Sequence, residues 1–264
     1  MLALHGFNDY SRAFEDPAPL LAAHGLTVYA YDQRGFGATG IAGRWAGTET
    51  MVNDMRVVAN LLQVRHPDLP LVLLGESMGG AVLLAAAREG KLPGERIILV
   101  APAVRGRATM NPVYRAALWL SAHLMPWAEA TGRGLRIRAS DNRDAIIKLR
   151  DDPLVIKSTR VDTIWGLVNL MDDALAGAGN LSQDVLTLYG AHDMLIPEAA
   201  TALLARRLGP DSRWAVYDTG WHMLLRDHGA PLVLDDIASW INSPENSLPS
   251  GAEQRANGYF TPRP

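Results

Sequence analysis

The sequence predicts an α/β protein: a mostly parallel, doubly wound sheet interrupted by a helical insertion. Three observations predict it: short β-rich runs too continuously apolar for half-exposed strands, helical patterns between them, and one long break in that alternation. The apolar runs lie at Met1 to Leu4, Leu26 to Tyr31, Leu71 to Leu74, Arg96 to Val100, Val185 to Leu188 and Trp214 to Tyr217. Strands apolar on both faces suit a parallel sheet covered by helices on each side. Helical patterns run from Pro17 to His24, stopped by Gly25, and from Glu49 to Arg65, stopped by His66-Pro67. Others run from Met78 to Arg88, from Ala199 to Leu208 before Gly209, and from Pro231 to Ile241. Strand and helix alternate, as in a doubly wound sheet.

The break lies between Pro102 and about Leu181, where Pro112 to Leu124, Arg143 to Leu149 and Thr163 to Ala176 carry helical patterns and no strand is clear. The expected organisation is a core of residues 1–103 and 182–242, a helical cap over 104–181, and a tail over 243–264. The tail is rich in Pro, Ser, Gly and Asn with few core residues, so burial cannot offset the entropy of ordering it, and it is expected to be loose.

Composition narrows the function. A chain of 264 residues with 48% hydrophobic content buries most of its apolar surface as one domain plus an insertion. Net charge is only -3, and the 25 Lys and Arg are scattered, so no electrostatic footprint for nucleic acid exists. Without cysteine there is no disulfide framework, thiolate nucleophile or cysteine-based zinc site. The histidines are dispersed, with no helical pair at i and i+4, and neither a metal nor a cofactor is expected. No apolar run approaches the ~18 residues of a bilayer span. A cytoplasmic or peripherally membrane-associated protein is expected. The opening MLALHGF reads as a buried strand without lead-in, which leaves room for a natural start, and a targeting segment, upstream.

The sharpest chemical signal is LVLLGESMGGAVLLAAA: an apolar strand, then Gly75-Glu76-Ser77-Met78-Gly79, then an Ala-rich helix. This is the strand, tight turn and helix that expose a nucleophilic serine at a helix N-terminus. Glycines flank the serine because the strained turn leaves no room for a Cβ two positions away. A serine needs a neighbouring base, and histidine suits that task near neutral pH. Of seven histidines, His24 and His66 sit at helix ends, His123 lies in the insertion, His228 falls on a surface loop, and His5 shapes the first loop. His222 follows the last strand directly, at the carboxyl end of the sheet where Ser77 also emerges. Asp193, just beyond VLTLYG, is the expected carboxylate partner of the imidazole, with Asp218 as its rival. The order Ser, Asp, His is the one used by α/β-hydrolases. Two N-H groups should stabilise the oxyanion, those of Met78 after the nucleophile and Phe7 in the loop after the first strand.

Together LHGFNDYS, YDQRGFG, GESMGG, GAHDMLIP and GWHMLL resemble the monoglyceride lipase and lysophospholipase branch of the α/β-hydrolases, from Met1 to about Ile241. The resemblance implies the α/β-hydrolase fold, Ser77, Asp193 and His222 as triad, Phe7 and Met78 as oxyanion donors, and a helical cap inserted before the acid-bearing strand. It also implies that Asp32-Gln33-Arg34-Gly35 is a structural turn and that Asp152-Pro153-Leu154 belongs to the cap. The family fold begins with an antiparallel hairpin that this chain lacks. Thr27 to Tyr31 would then be an exposed edge.

The cap stretch NPVYRAALWLSAHLMPW concentrates apolar side chains beyond one packing stripe. Trp119, Leu120 and Leu124 are accordingly expected to bind substrate, and the cap to make peripheral membrane contact. The leading expectation is a serine hydrolase cleaving acyl esters of glycerol or another alcohol. An aminopeptidase of the same fold would need cap carboxylates, and Glu129 is the only glutamate from 104 to 180. A non-catalytic ligand-binding homologue is the third reading; a cofactor-free haloperoxidase fits poorly with so large an insertion.

Overall fold

The computed structural model describes residues 1–132, 137–257 and 259–260. Six strands form one sheet: β1 (Leu2–Leu4), β2 (Tyr29–Ala30), β3 (Val72–Glu76), β4 (Arg96–Val100), β7 (Asp184–Gly190) and β8 (Arg213–Tyr217), in the order β2-β1-β3-β4-β7-β8. Every pairing is parallel. Side chains alternate between two cores. Leu2, Leu4, Leu73, Ile97 and Leu99 face one, while Ala3, Val72, Leu74, Ile98 and Val100 face the other, as the two-residue period of a strand requires. Helices α2 (Thr48–Arg65), α3 (Met78–Ala86), α6 (Val161–Gly177) and α7 (Glu198–Leu208) cover the first face. Helices α1 (Pro17–Ala23) and α8 (Ala230–Asn242) cover the second. The expected strands and core helices are present within a few residues of their predicted ends.

Sequential strands turn to opposite sides of β1, since β2 pairs on one edge of it and β3 on the other. That reversal makes the carboxyl ends of β1 and β3 the switch point where open α/β sheets place their ligands.

Two expectations about the insertion need correction. It is not purely helical: besides α4 (Pro112–Leu124) and α5 (Arg143–Asp151), β5 (Glu129–Thr131) and β6 (Ser158–Arg160) pair as an antiparallel ribbon. The sequences EAT and STR are too short and polar to carry a strand pattern. Nor does the whole insertion stand apart. Leu170, Met171, Ala174 and Leu175 of α6 are buried in the main core, and α6 packs against α3. Residues 133–136 of the predicted cap lie outside the described residues.

The tail is also corrected. A short helix, α9 (Ala252–Ala256), packs on β8, with Leu248 and Ala252 buried. Glu253 pairs with Arg213 at 2.6 Å, Arg255 Nε donates to the Val216 carbonyl at 3.0 Å, and the Phe260 ring sits 4.8 Å from that of Trp214. Composition missed this because a few anchors, not average hydrophobicity, fix the segment. Residues 258 and 261–264 of the tail lie outside the described ones.

Candidate active site

Ser77 ends the turn between β3 and α3 with φ 51° and ψ −111°, a left-handed conformation that costs a non-glycine residue on the order of 1–3 kcal/mol. Its backbone is held on both sides: its N-H donates to the Val100 carbonyl at 2.9 Å, and its carbonyl accepts from Ala103 at 2.9 Å. The flanking glycines are required by space. A Cβ on Gly75 would overlap the Gly80 nitrogen, and one on Gly79 would overlap the Leu4 carbonyl oxygen.

His222 and Asp193 meet this serine from two other strand ends. His222 Nδ1 lies 2.7 Å from Asp193 Oδ2, and its Nε2 lies 3.0 Å from Ser77 Oγ. An ionised carboxylate only accepts, so Nδ1 carries the proton and Nε2 is left to accept from the hydroxyl. Asp193 Oδ1 accepts from the backbone N-H groups of Leu195 and Ile196 at 2.8 and 2.9 Å. Burial works against a charged imidazole, yet the Asp193 carboxylate beside it, aided by Glu76, raises the His222 pKa above its ordinary value of 6.5. The rival Asp218 is exposed and lies 3.5 Å from Arg255.

The loop expected to supply one oxyanion donor follows β1. Gly6 passes against Ser77, where a Cβ would lie 3.4 Å from the Ser77 Cβ. His5 is fully buried and shapes this loop: Nε2 accepts from the Gln33 N-H at 2.9 Å, and Nδ1 donates to the Gly6 carbonyl at 2.8 Å. Burial lowers its pKa, consistent with a neutral brace. Met78 begins α3, where a first-turn N-H has no intrahelical partner. The Gln33 side chain donates to the His5 carbonyl at 2.8 Å, so the YDQRGFG turn supports the loop. Asp152, just after α5, accepts from Tyr10 Oη at 2.7 Å.

These groups open into a cavity of about 610 Å³, within the range typical of small-molecule sites. Its walls include Met110, Ile137, Ile164, Leu167, Met171 and Leu195, while Asn8, Ser77, His222 and Arg226 supply polar atoms near the nucleophile. Trp119, Leu120 and Leu124 do not line it. They are 52%, 51% and 61% exposed, and no residue of α4 is buried. The cavity walls come instead from α6 and the segment after β4; apolar residues on a helix do not themselves say whether they face a cavity or solvent.

Sequence reasoning also missed Asp9, Glu76 and Arg226, which pair in the wall of the cavity, and Asp227, which accepts from Ser140 Oγ at 2.6 Å and from the Trp221 N-H at 2.8 Å. Burial pushes the Asp227 carboxyl up to about 6. The available signal was a charge placed inside an otherwise apolar motif, as Glu76 is. Among the described residues no group of three or more His, Cys, Asp or Glu could hold a metal ion.

The family model described as "Serine aminopeptidase, S33" matches residues 1–229. The chain belongs to this family. A monoacylglycerol lipase of Mycolicibacterium smegmatis is 30% identical over 256 residues, covering 90% of this chain and 86% of that protein. A monoglyceride lipase of Mus musculus is 25% identical, covering 90% and 80%. The crystal structure of a monoacylglycerol lipase from Paleococcus ferrophilus shares the α/β-hydrolase fold at a TM-score of 0.77, with 22% identity and coverage of 92% and 93%.

Proposed function

We propose that this family member is a serine ester hydrolase acting on acyl esters of small alcohols, monoacylglycerols foremost, with Ser77 as nucleophile, His222 as base and Asp193 as its orienting acid. The observation that carries the reading is the hydrogen-bonded series Asp193, His222, Ser77 opening into an apolar cavity. His222 Nε2 takes the Ser77 proton as Oγ attacks the ester carbonyl. The N-H groups of Phe7 and Met78 hold the developing oxyanion. The alcohol leaves with the proton from His222, and water, deprotonated in turn by His222, releases the acid from the acyl-enzyme. In this reading 1–103 and 161–242 form the catalytic core, and the cap over it is 104–160.

The cavity also separates this reading from an aminopeptidase. The acidic side chains that line it among the described residues, Asp9 and Glu76, are both engaged by Arg226, and Glu129 accepts from Ser158 on the outer ribbon. None of these is left to hold a free amino group. Pure protein should hydrolyse monoacylglycerols and p-nitrophenyl esters of medium and long chains while leaving aminoacyl anilides intact. Cleavage of the anilides with no ester turnover would replace the reading by the aminopeptidase; no turnover, and no fluorophosphonate labelling of Ser77, would replace it by a binding role.

No helix among the described residues is long and apolar enough to cross a membrane. Val113, Tyr114, Trp119, Leu120, Leu124, Met125 and Trp127 are exposed on or beside α4, and such a patch suits the interfacial region of a bilayer. The protein should co-sediment with phosphatidylcholine vesicles, and the Trp119→Ser/Leu120→Ser double variant should do so several-fold less. Wild-type protein that stays in the supernatant removes the membrane proposal without touching the esterase one.

A further inference from the structure

Arg226 lies four residues beyond His222, and its guanidinium is 11% exposed. Nη1 donates to Asp9 Oδ2 at 2.7 Å, and Nη2 donates to Glu76 at 3.2 and 3.5 Å. The two carboxylates are themselves 9% and 3% exposed. Asp9 stands two residues beyond Phe7 in the proposed oxyanion loop; its N-H donates to the Gly6 carbonyl at 3.3 Å, which closes that turn, and its Oδ1 accepts from the Tyr10 N-H at 2.9 Å. Glu76 immediately precedes Ser77 at the end of β3. One cation therefore touches each of the three loops whose relative placement sets the reaction geometry. Its own loop is held as well, since the Arg226 N-H donates to the Met223 carbonyl and the Arg226 carbonyl accepts from Asn142 of the cap.

A buried ion triad is weak evidence for stability, because well-packed apolar groups of similar volume usually do as well or better. What the triad provides that apolar packing cannot is a directional, forked tie between segments far apart in sequence. Catalysis is sensitive to that tie: a misplacement of 1 Å costs about 10²-fold in rate. We propose that Arg226, held between Glu76 and Asp9, is a positioning residue that fixes the oxyanion loop, the nucleophile turn and the histidine loop in one register. The proposal rests on the reading of Ser77 and His222 as nucleophile and base.

The triad also sets the field at the imidazole. The groups that act on His222 are Asp193 from the β7 loop, Glu76 from the nucleophile turn and Arg226 from its own loop, with Asp227 further along that loop. After burial, which disfavours the charge, Asp193 and Glu76 favour the imidazolium and Arg226 opposes it. Losing Glu76 therefore lowers the His222 pKa. Exchanging Arg226 for lysine keeps the charge and removes the fork.

The test compares wild type, Arg226→Lys and Glu76→Gln on a soluble p-nitrophenyl ester across pH, with thermal melting alongside. Arg226→Lys should lose about 10²-fold in kcat with KM little changed, and the acid limb of kcat/KM, which reports the free-enzyme base, should stay in place. Glu76→Gln should move that limb to lower pH. An Arg226→Lys protein at wild-type kcat overturns the proposal, as does a Glu76→Gln protein whose kcat is unchanged while only its melting temperature falls. If Arg226→Lys does not fold, Asp9→Asn and Glu76→Gln, each of which loosens one arm of the tie, decide by kcat, and wild-type kcat in both overturns the proposal. Wild-type protein inert on every ester would instead overturn the catalytic reading beneath it.

Discussion

Ser77→Ala should reduce ester hydrolysis by about 10⁶-fold, the scale of nucleophile loss measured in a serine protease. The substitution removes Oγ and leaves the rest of the site standing. Alanine faces the same left-handed backbone at φ 51° that serine tolerates here, so the turn gains no new strain. The backbone bonds from Ser77 N to Val100 and from Ala103 to the Ser77 carbonyl do not involve the hydroxyl. The fold should therefore melt close to wild type, and a non-hydrolysable acyl ligand should still enter the cavity walled by Met110, Leu167 and Met171. Chain-length-resolved kinetics on p-nitrophenyl esters, with fluorophosphonate labelling as a second readout, check both halves. Turnover within about tenfold of wild type, a barrier change of only ~1.4 kcal/mol, would take the nucleophile role from Ser77.

The three residues proposed as the triad could be picked out of the sequence because each sits at a local punctuation mark. Ser77 follows a strand and opens a helix, Asp193 follows β7, and His222 follows β8, so parallel topology alone brings all three to the carboxyl end of the sheet. A period of two in the strands and glycines with a spatial reason, Gly75 and Gly79, complete that part of the pattern. What stayed hidden depends on partners distant in sequence. Trp119 and Leu120 have the composition of a cavity wall, but their exposure is decided by how α4 lies on the domain. The ribbon of β5 and β6 is held by pairing, with Ala130 opposite Thr159, while three-residue polar strands carry no alternation. The tail is anchored by Leu248, Ala252 and the Arg213–Glu253 pair, which average composition dilutes. The bridge from Arg226 to Asp9 and Glu76 spans more than half the chain, and a sequence shows three charges without their meeting.

Asp193→Asn should cost about 10⁴-fold in kcat/KM, the effect of the matching change in a serine protease, and the structure says why the amide cannot rescue itself by turning over. Asp193 Oδ1 accepts two backbone N-H groups, from Leu195 and Ile196. An asparagine must keep its carbonyl oxygen there, since an NH₂ facing two N-H donors would leave all of them unpaired in a buried site. Its NH₂ then occupies the position 2.7 Å from His222 Nδ1. That nitrogen becomes the acceptor, the proton shifts to Nε2, and Nε2 can no longer take the proton of Ser77 Oγ. The same change removes the largest opponent of desolvation at His222, whose pKa is raised above 6.5 chiefly by Asp193. The acid limb of the residual activity should therefore move to lower pH. Stability follows the same sign: a raised folded pKa contributes stabilisation that is complete below the unfolded 6.5 and fades as pH rises through the folded value. The variant should lose most stability relative to wild type at mildly acidic pH and less above neutrality. Thermal melts at pH 5.5 and 8.5 beside a pH–rate profile test both signs, and an Asp193→Asn enzyme with wild-type rate and limb would return the search for the acid to Asp218.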